Sequence, residues 1–555
     1  MRNTPQLHAS IALVLLQIFG CTNIETVDEG TPTQDAEVPE DAPELVTEKS
    51  SEHGAVVRTE TGRVRGRVSR NNRTFHGIPF AAPPVGALRW QPPRPPLPWT
   101  GVRDATARSP RCAQSADAVA GTPASLDEDC LYLDVTTPRS PGRLRPVMVW
   151  IHGGGLRSGS GSDLDELRLS AAGDVVVVSI NYRLGIFGFL GLPGLEGAAT
   201  FGLQDQQAAL SWVERNIRAF GGDPENVTVF GLSAGADSIC AQLTSPAARG
   251  LFDKAVLQSS PCTQEDGPNL IFATLDPAYD TWKPLTLAED IGVDVAARLG
   301  CSDPGAVLAC LRELPVDKLL GATSSAGIEP YWSPAYGTPI LPEHPGQAVR
   351  AGRFHRVPIL QGVTHDEGTF FTAAGGYTWI TPELYPVLLE AAFGSKAPLV
   401  EATYPLSQYV SPSHAWSALI TDGAFACTSL ASNAELARHV PTFAYEFADR
   451  DAPLIFDLAA EYPLGAYHGA DIPYLHGTVN RRVELTPAQK RLSEQMIAYV
   501  ASFARRGDPN GPGLPEWPQF RSSRPHVQKL SPGPQGIGPS ETFVEHHCAL
   551  WSSLE

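Results

Sequence analysis

Gly231-Leu232-Ser233-Ala234-Gly235 directly follows the run Val227-Thr228-Val229-Phe230 and precedes a helical pattern. A serine between two glycines at a strand-to-helix turn has its hydroxyl held out at the carboxyl edge of a sheet. The glycines are needed because strand and helix approach too closely there for side chains. A serine hydroxyl is a poor nucleophile at neutral pH, so it needs a base to take its proton and donors to hold the oxyanion that forms. His152-Gly153-Gly154-Gly155, directly after the run Val147–Ile151, offers side-chain-free backbone whose N–H groups can approach a substrate oxygen. The chemistry implied is attack by Ser233 on a carbonyl.

The elements that must position these residues read as α/β. Short β-branched runs alternate with helical patterns from Val147 onward, the signature of a mainly parallel sheet covered on both faces. Strands are expected at Val147–Ile151, Val175–Ile180, Val227–Phe230, Ala255–Gln258, Pro358–Gln361 and Phe443–Phe447. Gln204 to Phe220 carries Leu210, Val213 and Ile217 at helical spacing. Near the end, Thr486 as N-cap, Pro487 at the first helical position and Gly507 past the last turn bound another helix, with Leu492, Met496, Val500 and Phe503 on one face. The sequence shows no internal repeat, and one large sheet can absorb its 555 residues.

Composition narrows the class. At 42% hydrophobic and 18% charged residues, the chain is neither a disordered polar polymer nor a disulfide-only miniprotein. Its net charge of −18 repels nucleic acid and anionic lipid. Residues 1–20 have a basic start and an apolar run, Ile11 to Phe19, too short to span a bilayer, which reads as an export signal. Ile18-Phe19-Gly20-Cys21 resembles the lipobox of bacterial lipoproteins and makes Cys21 the candidate lipidation site, although Phe19 departs from the small residue usual there. The expectation is an exported protein, lipid-anchored at the bacterial cell envelope, with a periplasmic or secreted protein as the alternative. Residues 21–53 then form an acidic disordered tether, because they lack the apolar surface to offset chain entropy. Export makes the remaining cysteines candidates for disulfides. Spacing suggests Cys301 with Cys310, Cys112 with Cys130, and Cys427 with Cys548, leaving Cys240 and Cys262 as buried thiols or a fourth pair.

Further blocks widen the pattern across residues 54–555. They include Gly77-Ile78-Pro79-Phe80-Ala81, Glu128-Asp129-Cys130-Leu131, Asn181-Tyr182-Arg183-Leu184-Gly185, Gly202-Leu203-Gln204-Asp205-Gln206-Gln207 and Phe220-Gly221-Gly222-Asp223-Pro224. Together with the serine motif they make the chain resemble the type B carboxylesterases, the family that includes the cholinesterases. The resemblance implies a single α/β-hydrolase domain over 54–555, and a catalytic triad in the order Ser, acid, His. On it, Ser233 is the nucleophile and Glu367, in Asp366-Glu367-Gly368-Thr369-Phe370, is the acid, with Asp366 as nearest rival. His468, in Tyr467-His468-Gly469-Ala470-Asp471, is the base. The oxyanion donors become the N–H groups of Gly154, Gly155 and Ala234, and the family's disulfide pattern matches the three pairs that spacing suggests. The implied partner is a small-molecule ester, with no cofactor, no metal and no nucleic acid; a membrane enters only through the N-terminal anchor.

The departures bear on substrate. Leu232 stands where members commonly have Glu, and the Cys112 to Cys130 loop has no Trp, the aromatic face on which cholinesterases hold a quaternary ammonium group. Neutral acyl or aryl esters are therefore expected, and choline esters are disfavoured. Ala236 replaces a usual second glycine. The segment from Pro261 to Cys301, with Phe272, Tyr279 and Trp282, is long and reads either as a cap over the site or as a surface insertion packed by its own aromatics. His546-His547 has no accompanying carboxylate or thiolate set in the sequence and is read as structural. Two rivals remain: a non-catalytic adhesion or binding protein of the same fold, and a lipase or amidase.

Overall fold

Alternation along the buried runs decides the architecture, because successive strand residues face opposite sides of a sheet. In Arg145–Ile151, residues Val147, Val149 and Ile151 enter one apolar cluster, whereas Met148 and Trp150 enter another. Val227 and Val229 against Phe230 and Leu232 divide in the same way. Each strand is thus apolar on both faces and demands helices on both. A computed structural model describes residues 55–140, 142–263, 270–271, 280–324, 332–458, 461–478 and 483–554. The expected leader at 1–20, Cys21, the tether at 21–53, Phe272 and Tyr279 lie outside the described residues.

Eleven strands build the main sheet. They are β1 (Arg67–Val68), β2 (Asn72–Pro79), β3 (Tyr132–Pro138), β4 (Arg145–Ile151), β5 (Val176–Ile180), β6 (Gly222–Leu232), β7 (Lys254–Gln258), β8 (Ile359–Thr364), β9 (Thr442–Phe447), β10 (Val527–Leu530) and β11 (Ile537–Pro539). Their spatial order is β11-β10-β9-β8-β7-β6-β4-β5-β3-β2-β1. Every neighbour from β5 to β10 is parallel, and the outer pairs are antiparallel. The parallel centre is what the β-branched runs predict. The antiparallel edge β1–β3 is not, since β2 mixes polar residues with Gly77 and Pro79 and its pairing slips between Phe75 and Ile78.

Helix α1 (Phe201–Asn216) and helix α2 (Ala234–Thr244) bury Leu210, Val213, Ile239 and Leu243 against one face. Helix α3 (Glu367–Ala374) starts shortly after β8, and α4 (Cys427–Leu436) precedes β9. Helix α5 (Pro487–Arg506) covers the opposite face with Leu492, Met496, Val500 and Phe503, each fully buried apolar side chain contributing about 1.5–3 kcal/mol. Its start is a capping box between Thr486 and Gln489, and it ends at Gly507 with φ 72°. Of the described part of the 261–301 segment, Trp282, Val295 and Leu299 pack into the main core, and Leu270 and Ile271 join a separate apolar cluster.

Four disulfides are present: Cys112–Cys130, Cys301–Cys310, Cys427–Cys548 and, for the two cysteines that sequence left open, Cys240–Cys262. Next to Cys427–Cys548 the reading of His546 needs correction, because carboxylates do accompany it. Its Nδ1 lies 2.6 Å from Asp422 Oδ1 and its Nε2 lies 3.0 Å from Glu446 Oε1. Those partners are 124 and 100 residues away in sequence, beyond the reach of any spacing rule. Glu446 Oε1 also meets His365 Nδ1, and its Oε2 accepts from the hydroxyls of Ser540 and Thr542. His547 turns away, its ring against Tyr404.

Both nitrogens of His546 face carboxylate oxygens, so both carry hydrogen and the ring is a cation. Burial lowers its pKa, but the bonds from Asp422 and Glu446 outweigh that and raise it to about 10. A folded pKa above the ordinary 6.5 means that the stabilisation is fully present below about pH 6.5 and fades as pH rises through about 10. His546→Ala leaves two buried carboxylates without their cation and should cost about 3–5 kcal/mol at pH 6. Urea denaturation at pH 6, 8 and 10 checks this, and a wild-type advantage that does not shrink with rising pH would contradict a charged His546.

Candidate active site

The site grows from the end of β6. Ser233 follows Leu232 with φ 57° and ψ −128°, a region that costs a residue with a side chain about 1–3 kcal/mol. The turn is held by Ser233 N–H donating to Gln258 O at 2.8 Å and Asp237 N–H donating to Ser233 O at 2.9 Å. Helix α2 then begins at Ala234, so its first N–H groups have no partner within the helix. The flanking glycines answer to β4: a Cβ on Gly235 would stand 2.1 Å from Ile151 O, and one on Gly231 2.6 Å from the same oxygen.

The glycine loop continues from the end of β4 and lies beside the serine. A Cβ on Gly153 would come within 3.3 Å of Ser233 Cβ. Gly154 and Gly155 have φ 101° and 61°, a conformation that glycine adopts at little cost. Arg157 and Ser158 donate their N–H groups to Gly154 O and close the loop. Gly154 is exposed and Gly155 half-buried, so their backbone is open to a ligand. His152 is not a base for this site. Its ring stacks on Tyr182, and burial lowers its pKa to about 4.

The acid and the histidine meet on the other side. Glu367, wholly buried at the start of α3, accepts from Thr364 N–H at 2.7 Å through Oε1. Its Oε2 lies 2.5 Å from His468 Nδ1. That bond places the proton on Nδ1 and leaves Nε2 with a lone pair. Asp366, the rival acid, points elsewhere: both its oxygens take Arg450 and one also takes the Ala466 N–H. Phe370, Phe371 and Phe425 surround the imidazole at ring-centroid distances of 5.6, 4.7 and 5.5 Å. The next residue, Gly469, is against Leu232, its Cβ position 3.4 Å from Leu232 Cδ2. The histidine segment and the serine turn are therefore neighbours.

Two further acids stand at this edge and were not singled out in the sequence. Asp471 accepts from Gln258 Nε2 at 2.8 Å and from the Tyr445 hydroxyl at 3.2 Å, and burial pushes its carboxyl upward. Asp237 accepts from the Ser260 hydroxyl. The available signal was an acid in an otherwise apolar helix start, four residues after the serine. Among the described residues, His365, Glu446 and His546 are the one group of three metal-ligating side chains whose ligand atoms lie close together, and these atoms are already bonded to one another and to hydroxyls.

A serine on a strained strand-to-helix turn, beside a glycine loop and on a mostly parallel sheet, defines an α/β hydrolase. The chain matches the carboxylesterase family over residues 53–383 and 390–551. It belongs to that family and is a carboxylic ester hydrolase of type B. It is 34% identical to a pyrethroid hydrolase of Rattus norvegicus over 510 residues, covering 85% of each chain. It is also 34% identical to the para-nitrobenzyl esterase of Bacillus subtilis (strain 168), over 84% of this chain and 92% of that one. Among solved structures a PNB esterase superposes with TM-score 0.71 at 32% identity, covering 88% of this chain and 97% of the other.

The contact of Gly235 with β4 is backbone on backbone and cannot be relieved by a rotamer. Gly235→Ala should cost at least about 2 kcal/mol in urea denaturation. Gly321→Ala, in a helix with open space at its Cβ, should stay within about 1 kcal/mol of wild type. Equal stability of the two variants would mean that the strand does not press on the turn.

Proposed function

We propose that Ser233, His468 and Glu367 form the triad of a serine carboxylesterase acting on neutral acyl and aryl esters. The observation that carries this is the Glu367–His468 bond beside the strained serine, since it orients an imidazole whose Nε2 is left to accept a proton. His468 takes the Ser233 proton as Oγ attacks the ester carbonyl. The N–H groups of Gly154, Gly155 and Ala234 hold the oxyanion, and Glu367 stabilises the imidazolium. The proton then passes to the leaving alcohol, an acyl-enzyme remains, and water activated by the same histidine cleaves it.

Substrate preference follows from what surrounds the serine. Leu232 puts an aliphatic side chain where an acid would hold a cation, and the Cys112–Cys130 loop contains no tryptophan. An acetylcholinesterase of Bungarus fasciatus is 33% identical over 549 residues, so the reading against choline esters rests on these local residues and not on overall similarity. The para-nitrobenzyl esterase and pyrethroid hydrolase among the relatives support the neutral reading. The four disulfides fit an oxidising compartment outside the cytoplasm, and the lipobox-like Cys21 supports anchoring at the envelope.

Ser233→Ala should lower kcat/KM for p-nitrophenyl butyrate by about four orders of magnitude or more, with unchanged circular dichroism. Wild type should hydrolyse 3,3-dimethylbutyl butyrate at least about ten-fold faster than butyrylcholine, its charged isostere. A wild-type protein that neither cleaves these esters nor is labelled by an organophosphate would overturn the catalytic reading, and faster turnover of the choline ester would overturn the preference.

A further inference from the structure

The glycine loop after β4 is poor at holding its own shape. Of the nine residues 153–161, five are glycine, and Gly154, Gly155 and Gly159 have φ 101°, 61° and 113°. Glycine lets backbone approach a substrate, but it loses more freedom on ordering than any other residue. Donors stabilise a transition state best when they are fixed before its charge develops. Rigidity must therefore reach this loop from outside.

Its source is the loop closed by Cys112–Cys130. That loop contains no aromatic residue, so it gives a cation no ring to rest on, but it is stiffened by more than its disulfide. Gln114 and Ser125 exchange both backbone hydrogen bonds at 2.9 Å, and Asp117 and Thr122 do the same. The side chains of Gln114 and Asp117 then reach the glycine loop. Buried Gln114 accepts the Gly159 N–H through Oε1 and donates from Nε2 to Gly159 O, both at 2.9 Å. Asp117 Oδ2 accepts the hydroxyl of buried Ser158 at 2.9 Å.

Ser158 N–H in turn donates to Gly154 O at 3.0 Å. Gly154 O and Gly155 N–H belong to one planar peptide and point in opposite directions, so holding the oxygen aims the N–H. The second Asp117 oxygen works toward the other side of the site. Oδ1 accepts the N–H groups of Val119 and Ala120 at 3.1 and 3.0 Å, and Val119 O takes the Asp457 N–H at 2.7 Å. The neighbouring Phe456 ring packs on Phe370 and stands 3.5 Å from the Cβ position of Gly469, next to His468. Resting on the esterase reading, we propose that Gln114 and Asp117 are positioning residues that act through Gly159 and Ser158 to aim the Gly154–Gly155 peptide at the developing oxyanion. Neither gives nor takes an atom in the reaction.

The test compares full-length wild type with Asp117→Ala, Asp117→Asn, Ser158→Ala, Gln114→Met and the double variant Asp117→Ala/Ser158→Ala, with rates expressed per site titrated by an organophosphate. Two quantities are read: kcat and KM for p-nitrophenyl butyrate, and Ki for butyl trifluoromethyl ketone. Ser233 Oγ adds to the carbonyl carbon of that ketone, its proton passes to His468, and the carbonyl oxygen becomes an oxyanion. Asp117→Ala should lower kcat by about ten-fold or more and raise Ki by a similar factor, with KM within about two-fold, because only the charged species needs the donors aimed. Gln114→Met fills the same space without bonding Gly159 and should behave alike. Asp117→Asn keeps the shape and an amide for the Ser158 hydroxyl, and should recover most of the rate. The double variant should lose no more than Asp117→Ala alone, since both changes remove one bond. A fall in kcat with Ki unchanged, additive losses in the double variant, or Asp117→Asn as slow as Asp117→Ala would overturn the proposal. Should Asp117→Ala melt well below wild type, Ser158→Ala decides, because it removes the same bond and leaves the Asp117 turn intact; unchanged kcat and Ki there count against the proposal. An active Ser233→Ala would instead sink the esterase reading itself.

Discussion

A side chain can be presented at the tip of β6 only if the backbone there turns through a positive φ, and everything in the site is arranged around holding that turn at Ser233. On one side β4 runs in register with Gly231 opposite Ile151, and on the other β7 pairs Gln258 with Leu232. The strain is local and recurrent: Leu156, Ser233 and Ser259, three of the seven non-glycine residues with positive φ among the described residues, follow the ends of β4, β6 and β7. Strain of this kind persists where the surrounding structure over-determines it. Here three parallel strands in fixed register do so, and the two flanking glycines are the local condition for their close approach.

The second constraint is electrostatic. This chain buries an unusual set of acids next to imidazoles, and in each case geometry decides what the pair can do. Glu367 bonds one nitrogen of His468. Asp422 and Glu446 occupy both nitrogens of His546 and turn it into a fixed cation between the C-terminal segment and β9. The same residue types thus engage an imidazole through one nitrogen at one place and through both at another. The difference is whether one imidazole nitrogen remains unclaimed.

The disulfides repeat the division between general scaffold and local device. Cys112–Cys130, Cys301–Cys310 and Cys427–Cys548 span 18, 9 and 121 residues, whereas Cys240–Cys262 ties the helix after Ser233 to the segment leaving β7. Together with the Asp237–Ser260 hydrogen bond, it makes the floor beside the serine a doubly fastened element.

The candidate site residues were legible in the sequence wherever their requirement is local. A serine between glycines after a β-branched run, a triple glycine after another such run, and a capping box before an apolar-striped helix all announce themselves through neighbours a few positions away. The parallel centre of the sheet was legible for the same reason, because strands buried on both faces must be apolar at every position. What depends on distant partners was not. Asp366 and Glu367 are adjacent carboxylates that no pattern separates, and only the folded chain turns one toward Arg450 and the other toward His468. The carboxylates around His546, the pairing of Cys240 with Cys262 and the bond of Asp237 to Ser260 belong with them. Each joins segments whose meeting is set by strand order and helix packing, and a sequence read along its length carries no direct record of either.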